Sequence, residues 1–529
     1  MKETMQRRKR IRRWATLVAV SIATFMVPLD ITVVAVALPD IQRSLHASFA
    51  DIQWVVNAYT LTFGAFLLTG GSLADLLGRR RIFTIGLYLF TFSSLLCGFA
   101  LNPLMLNLAR GVQGIGAAFL FSAALALLAQ EFQGRTRATV FSLWAAVLGM
   151  GIALGPLIGG GVTDWLGWKW AFLINVPIGA MVIALTLLFK IQESRDPNAR
   201  KVDWAGLVTF ATGFFMVILA LVSGNDRGWG SPLIVGLLVG GTVLFTGFVV
   251  AERWQQHPMF DLTLFRKSTF SGASIIAIAI AGSFFSMFIY LPLYFQIILG
   301  YSPLKAGLCL LPLTMPLLIV PPISAKLSTF LIARTLLSAG LRLIGLGLLL
   351  STVGINPTTN WIPLLAGFIV AGSGAGLVNG ELSNVAISVV PPGRSGMAAG
   401  ITTTCRQIGF GIGIAGLGAI FTWRTEAKLL ELIAGTSAAS SGRSVELAKM
   451  VATGHVSSAV ASLSPAAQTA FLQAANTSFT SGLRLIMLVA AIVAMVGAVI
   501  AVVLVRERDI AQVPIPPKHL PKPAPICPR

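Results

Sequence analysis

Residues 71–82 of this 529-residue chain read GSLADLLGRRRI and separate two long apolar runs. Asp75 and the arginines from Arg79 to Arg81 stand where one hydrophobic segment ends and the next begins. In the hydrocarbon of a bilayer each of these charges would cost several kcal/mol. The stretch is therefore predicted to lie at a membrane face. A basic loop that only fixes topology is the alternative interpretation.

The composition extends this prediction to the whole chain. The sequence is 55% hydrophobic and 11% charged, and its mean hydropathy is +0.83, which excludes an ordinary soluble domain. A net charge of +20 would suggest nucleic acid as a partner in a soluble protein. Here most lysines and arginines fall in alternate loops, as the positive-inside rule describes. We predict an all-α integral membrane protein with both termini inside and no nucleic-acid partner.

Fourteen apolar segments of about 20 residues, the length that crosses a bilayer, follow one another in a six plus two plus six arrangement. The first, 14–38, is too long for a signal-peptide core and is predicted to remain uncleaved. The predicted divisions are a basic cytoplasmic tail (1–13), a six-helix bundle (14–190), two additional helices with their loops (191–269), a second six-helix bundle (270–505) with a long external loop (422–481), and a proline-rich cytoplasmic tail (506–529) that should be disordered.

Two carboxylates lie well inside apolar runs, Asp30 and Glu381. Desolvation disfavours an ionised carboxylate, so a buried one can take up and release protons. Both are candidates for proton coupling, and the alternative for each is a structural buried acid. Arg110 interrupts the fourth apolar segment and stays charged, so it requires an acid, water or carbonyl partner unless it extends to the membrane interface.

Two further patterns concern helix packing. The string GIALGPLIGG, 151–160, spaces glycines four residues apart around Pro156, which permits close helix contact and removes one backbone hydrogen bond. The ninth segment carries an aromatic and methionine stripe that would suit an adaptable cavity wall, although packing against neighbours or lipid is favoured. The stripe comprises Phe284, Phe285, Met287, Phe288, Tyr290, Tyr294 and Phe295.

The sequence resembles the major facilitator superfamily, in its fourteen-helix, EmrB/QacA-like branch of drug:proton antiporters. Residues 71–82 fill the superfamily pattern G-x-L-A-D-x-x-G-R-R/K, and LDITVVAVALP, 29–39, looks like the first-helix motif of the branch, with Ala35 where Asn is common. LNLARGVQGIGAA, 106–118, resembles the fourth-helix motif, whose arginine is thought to assist proton movement. The string 151–160 looks like the exporters' antiporter motif. WKWAFLINVPIG, 168–179, and the stretches that begin at Arg394 and Arg406 are also typical of the branch.

The resemblance implies two six-helix bundles plus two extra helices, and it assigns roles to particular residues. The implied conformational switch is Gly71, Asp75, Gly78, Arg79 and Arg80, and the implied antiporter motif is Gly151, Gly155, Pro156, Gly159 and Gly160. In the second half Arg334 stands opposite Arg80 but Thr329 stands opposite Asp75, so the switch should depend on the N-terminal half.

The implied function is export of amphiphilic drugs or toxic compounds against proton entry across the bacterial cytoplasmic membrane. Small molecules, protons and the lipid bilayer are the implied partners, and a periplasmic adaptor is left open. The alternatives are a dedicated exporter of one metabolite or antibiotic, and a non-transporting membrane receptor. The four cysteines show no metal-ligand spacing. No phosphate-binding loop, zinc motif or nucleophile elbow occurs, so neither an enzyme, a metal site nor a cofactor is predicted.

Overall fold

A computed structural model of the chain describes residues 2–132, 135–189, 191–195, 202–255, 260–357, 360–390, 395–434, 447–448, 450–451, 460 and 465–509. Within them the chain is helical, and fourteen helical stretches are long and apolar enough to cross a membrane. The six plus two plus six count predicted from the sequence is therefore confirmed. Arg394, Cys527 and the tail beyond residue 509 lie outside the described residues.

Seven helices make the first half, because the sixth span is built from two consecutive helices. They are α1 (Lys2–Leu45), α2 (Phe49–Leu77), α3 (Arg79–Gly98), α4 (Pro103–Glu131), α5 (Arg135–Leu166), α6 (Trp170–Leu173) and α7 (Asn175–Leu188). Helix α4 packs against α2 and α3, and α1 packs against α5. We call the end at which α1 begins the terminal face, and the opposite end the far face.

Two further helices follow, α8 (Trp204–Arg227) and α9 (Pro232–Trp254). They pack against each other, and α8 also contacts α2 and α16. Only 17% of the most apolar stretch of α9 is buried. An apolar helix that stays so exposed is suited to face lipid.

The second half begins with a span that changes its helical pitch twice. Its elements are α10 (Ser268–Ile280), a π-helical turn (Ala281–Phe285), α11 (Met287–Leu293) and a second π turn (Tyr294–Ile298). The remaining helices are α12 (Pro303–Thr314), α13 (Pro316–Leu327), α14 (Ala333–Gly354), α15 (Leu365–Ser388), α16 (Ser395–Ile433) and α17 (Pro465–Leu504). Helix α16 ends at Ile433 and α17 begins at Pro465, so both helices continue into the stretch 422–481 that is predicted as an external loop.

Local sequence explains where several helices start. Ser48 and Asp51 form a capping box at α2, in which the Ser48 hydroxyl accepts from the Asp51 backbone N–H at 3.1 Å. Asn102 caps α4 through the Met105 N–H at 2.8 Å, and Pro103 follows at the first helical position. These side chains satisfy backbone donors that a helix start leaves without partners.

The short segment after α17 is tied to the start of α10. The Asp509 carboxylate accepts hydrogen bonds from the Thr269 hydroxyl at 2.8 Å and from the Ser268 hydroxyl at 3.2 Å. The hydrogen bond from Thr269 lowers the pKa of the Asp509 carboxyl. The second half is thereby closed between its first and last helices at the terminal face.

The two halves meet along α5 with α12 and along α2 with α16. Several hydrogen bonds join the halves in the middle and toward the far face. Gln296 Nε2 donates to the Val36 carbonyl at 2.8 Å, and Gln53 Nε2 donates to the Ile414 carbonyl at 3.1 Å. The halves are therefore sealed toward the far face.

Candidate functional site

The first half encloses a buried ion pair between Asp30 on α1 and Arg110 on α4. Arg110 Nη1 donates to Asp30 Oδ2, and neither side chain exposes any surface. Arg110 Nε also donates to the Val55 carbonyl of α2 at 2.9 Å. The structure thus joins two of the three intramembrane charges singled out in the sequence. It also excludes the alternative in which Arg110 extends to the membrane interface.

Three neutral side chains complete this pair. Gln113 and Asn175 each donate from their amide nitrogens to Asp30 Oδ1 at 3.0 Å. The same two nitrogens donate to the Ser94 hydroxyl, at 2.6 Å and 3.3 Å respectively. Arg110 Nη1 further donates to Gln113 Oε1 at 2.7 Å. We call Asp30, Arg110, Gln113, Asn175 and Ser94 the central network.

Aromatic rings close the central network on the side of the guanidinium. The Arg110 guanidinium carbon lies 4.3 Å from the centroid of the Tyr59 ring and 5.7 Å from that of Phe172. A desolvated guanidinium is attracted to an aromatic face, in addition to its hydrogen bonds. Within the described residues, Arg110 Nη2, the Tyr59 hydroxyl and Asn175 Oδ1 have no hydrogen-bond partner. The network therefore keeps unused donor and acceptor capacity beside Asp30.

Asp30 and Arg110 are recognisable in the sequence as charges within apolar runs, whereas their neutral partners are not predicted from it. Gln113 follows Arg110 by three residues, so the two share one helix face, and this spacing was an available signal. Asn175 lies inside the motif quoted at 168–179. Ser94 and Tyr59 carried no comparable signal, because serine and tyrosine are unremarkable in an apolar helix.

Glu381 lies apart from the central network, on α15 in the second half. It is 6% exposed, and its Oε2 has no hydrogen-bond partner among the described residues. The polar neighbour of its carboxylate is Asn384, one helical turn further along. The two candidate carboxylates are thus held in different halves and in different environments.

The loop at 71–82 is compact and bonded to the first half. Arg79 Nε and Nη2 donate to Asp75 Oδ1 at 3.1 Å and 2.9 Å. The Arg80 backbone N–H donates to Glu193 Oε1 at 3.0 Å, and its guanidinium donates to the Ile191 carbonyl at 3.2 Å. Asp75 is therefore paired with an arginine of the same loop.

Gly78 allows this loop to turn. Its φ is +115°, a backbone conformation that residues other than glycine rarely adopt. A methyl group at Gly78 would also lie 2.6 Å from the Glu193 carboxyl group. In contrast, nothing lies within 4 Å of such a group at Gly71.

The glycines of 151–160 form two separate contacts of α5. A methyl group at Gly151 would lie 2.9 Å from Pro28 Cγ, and one at Gly159 would lie 2.7 Å from Val33 Cα. Gly155 faces the Thr32 side chain between them. Gly160 instead approaches the Pro303 carbonyl on α12. The motif therefore packs α5 on α1 within one half and on α12 across the two halves.

Pro156 belongs to the second of these contacts. The Pro156 carbonyl lies against Gly307 of α12, where a side chain would clash with it. The neighbouring Thr314 hydroxyl donates to the Ala153 carbonyl at 2.8 Å. Backbone on both helices is therefore in close contact where the halves meet.

The aromatic stripe of the ninth span is mostly core. Phe284 and Met287 are fully buried, and Phe288 and Tyr290 are 2% and 1% exposed. Only Phe285 among the proposed cavity residues is half-buried. The arrangement favours the packing alternative for the others. The Tyr290 ring packs in a tilted arrangement against Phe49 and Phe421 toward the far face, with ring centroids 6.3 Å and 6.0 Å apart.

Comparison with known proteins places this geometry in a family. Residues 20–414 match the family model of the Major Facilitator Superfamily. The chain is 36% identical over 406 residues to the multidrug resistance protein Stp of Mycobacterium tuberculosis, covering 77% of this chain and 75% of that protein. It is 36% identical over 434 residues to the puromycin resistance protein pur8 of Streptomyces alboniger, covering 81% of this chain and 85% of that protein.

A solved structure supports the same fold. A bacterial homologue of the human lysosomal transporter Spinster, in an inward-facing and unoccupied conformation, matches 95% of this chain and 99% of its own chain, with a TM-score of 0.60 and 16% sequence identity. The match of the family model over most of the chain, the fourteen apolar helices and the two closely related resistance proteins agree. The chain belongs to the major facilitator superfamily, and it is a multi-pass membrane transporter of small molecules.

Proposed function

We propose that the protein exports amphiphilic drugs or toxic compounds across the cytoplasmic membrane in exchange for protons. Export is supported by the names of the similar proteins, among them a multidrug resistance protein and a puromycin resistance protein. Exchange for protons rests on one observation, the buried Asp30–Arg110 pair. The proposed cycle needs no enzymatic step, since transport of this kind makes and breaks no covalent bond.

Protonation of Asp30 would change the central network electrostatically. An ionised Asp30 balances the charge of Arg110 and accepts from Gln113 and Asn175. A protonated Asp30 would lose the Coulombic attraction and part of its capacity to accept hydrogen bonds. Arg110 would then need another partner, and unused acceptors such as the Tyr59 hydroxyl are nearby. Because α1, α3, α4 and α7 all contribute to the network, a changed network alters the packing of the first half.

The proposed orientation places both termini in the cytoplasm, as the distribution of lysine and arginine favours. The far face, where the halves are sealed, then lies outside. This arrangement corresponds to a state that takes up substrate from the cytoplasm or the inner leaflet. The divisions at 1–13, 14–190, 191–269, 270–505 and 506–529 fit the same proposal.

Proton-driven flux in proteoliposomes tests the proposal. A pH gradient is imposed, and movement of rhodamine 123 is measured with and without a protonophore. We expect gradient-driven accumulation that the protonophore abolishes. Transport at the same rate with and without the pH gradient would refute proton coupling. If no compound of a broad panel is transported, the receptor alternative is favoured.

The same assay compares the two candidate carboxylates. Glu381→Gln is proposed to weaken coupling, because Glu381 is a second buried acid well inside an apolar span and its carboxylate is partly unsatisfied. Gradient-driven flux equal to that of the unchanged protein would assign Glu381 a structural role. Transport of one compound only from the panel would favour a dedicated exporter.

A further inference from the structure

Arg406 on α16 is a cation inside the apolar span without an acid partner. It follows the first residue of α16 by eleven residues, which is about 16 Å along a helix. Within the described residues its guanidinium donates no hydrogen bond and forms no ion pair, and its Nε is shielded from solvent. The side chain as a whole is only half-buried. The terminal nitrogens of the guanidinium therefore keep some accessible surface.

The neighbours of Arg406 define the direction in which it points. Gln407 packs against Gly64 of α2, and Gly409 packs against Ile278 of α10. Arg406 stands on the helix face between these two contacts, in line with Thr403 and Phe410, three and four residues away. Thr403 is half-buried and Phe410 is 6% exposed. This face looks into the space between the two halves.

The same space is closed toward the far face. Further along α16, Ile414 accepts the hydrogen bond from Gln53, and Phe421 packs on Phe49 with ring centroids 5.5 Å apart. Arg406 lies on the terminal side of this seal. A compound that enters between the halves from the terminal face can therefore reach it.

The two acids that lie well inside apolar spans do not neutralise Arg406. Asp30 is held by Arg110, Gln113 and Asn175 in the first half. The Glu381 carboxylate is next to Asn384 on α15 and forms no ion pair within the described part of the chain. A lone positive charge in a membrane span is costly and is usually functional.

We infer that Arg406 binds the anionic group of exported compounds, so that the substrates include amphiphilic organic anions. This inference rests on the export function proposed above and specifies one substrate class of the same transport path. The planar guanidinium can hold a carboxylate, sulfonate or phenolate through charge-assisted hydrogen bonds, two at once for a carboxylate. The apolar neighbour Phe410 suits the hydrophobic part of such a compound.

The test uses two dyes that share a xanthene core and differ in charge, fluorescein as the anion and rhodamine 123 as the cation. Binding and transport of both are measured in proteoliposomes for the unchanged protein, Arg406→Gln and Arg406→Lys. We expect Arg406→Gln to weaken fluorescein binding about tenfold or more, the effect of losing a charged hydrogen-bond partner. Binding and transport of rhodamine 123 should stay the same or increase. Arg406→Lys should restore fluorescein binding in part, because lysine keeps the charge without the planar fork.

Arg424→Gln is the matched control. Arg424 lies on the same helix toward the far face and has a partner, since its Nε donates to the Ser481 hydroxyl at 3.0 Å. This variant should leave the ratio of fluorescein transport to rhodamine 123 transport unchanged.

An equal loss of transport of both dyes in Arg406→Gln would assign Arg406 to folding or to the transport cycle and overturn the inference. Rhodamine transport without fluorescein binding by the unchanged protein would overturn it too, and the export function would still stand. Failure to transport either dye or the broader compound panel would instead contradict the export function.

Discussion

At the scale of the residue, the central network balances the fully buried guanidinium of Arg110 with one carboxylate, that of Asp30. Asp30 and Arg110 are recognisable because a charge in an apolar run is costly. Their contact depends on how α1 packs near α4, and no local pattern encodes a contact across 80 residues. Ser94 and Asn175 could not be predicted for the same reason, since their hydrogen bonds in the network form only after four helices have packed together.

The pairing predicts a strong effect for Asp30→Asn. The substitution removes the charge that balances a fully buried Arg110, and leaving such a charge unpaired typically costs about 3–5 kcal/mol. We expect gradient-driven export to be lost and the melting temperature in detergent to fall. Asp40→Asn is the control on the same helix, because Asp40 pairs with Arg43 at a more exposed position. Normal gradient-driven export by Asp30→Asn would remove Asp30 from the coupling mechanism.

At the scale of the element, the superfamily pattern predicts where the loop 71–82 lies, but not which residues it contacts. The pattern indicated a switch, and the structure adds that Glu193 and Ile191 bind the loop from the segment after α7. These partners lie more than 100 residues away in a stretch without a distinctive pattern. The sequence also predicts an asymmetry between the halves, because Thr329 stands opposite Asp75. In the structure the Thr329 hydroxyl donates to the Lys326 carbonyl at 2.7 Å.

Asp75→Asn should therefore separate stability from turnover. The Asp75–Arg79 pair is partly exposed, and such pairs contribute about 0–1 kcal/mol. We expect nearly unchanged thermal stability and substrate binding, with slower export. The substitution removes the charge of a carboxylate that the superfamily pattern assigns to the conformational switch. Asp164→Asn, at an exposed site near the far face, is the control. Full turnover in Asp75→Asn would contradict a switch role.

The contacts of α5 lead to a prediction about a second element. Valine at position 155 would overlap the Thr32 side chain on α1, and overpacking of this kind costs about 1–3 kcal/mol. We expect Gly155→Val to reach the membrane and bind substrate but to export at least several-fold more slowly, since α5 contacts both α1 and α12. The assay measures membrane-embedded protein, binding and efflux on one preparation.

Gly161→Val provides the comparison for this prediction. A methyl group at Gly161 would approach its nearest neighbours, Leu304 and Trp165, no closer than 3.8 Å. This variant should behave as the unchanged protein does. Joint loss of insertion, binding and efflux in Gly155→Val would indicate simple packing, and retention of all three would exclude the motif from the mechanism.

At the scale of the whole molecule, helix number and order followed from hydropathy, whereas the conformational state did not. Apolar length determines how many helices cross, because backbone groups in lipid must be bonded within the helix. Which face is closed depends on a few contacts between the halves, such as Gln53 with Ile414 and Phe49 with Phe421. The two states of a transporter have the same sequence and differ by only small free energies, so hydropathy cannot distinguish them.

A reversible cross-link tests whether the far-face seal opens during export. Gln53 lies against Gly418, whose added methyl group would be 2.8 Å from the Gln53 amide carbon. The Gln53 side chain therefore spans the gap between the two helices, and cysteines at both positions can be joined by a short, reducible bifunctional reagent. We expect cross-linking of the Gln53→Cys, Gly418→Cys protein to stop export while substrate still binds from the terminal face, and reduction of the cross-link to restore export. Each single-cysteine variant controls for the native Cys97, Cys309 and Cys405, which are buried and unpaired. Because alternating access requires these two residues to separate in every cycle, unchanged export by the fully cross-linked protein would show that the substrate leaves by another route.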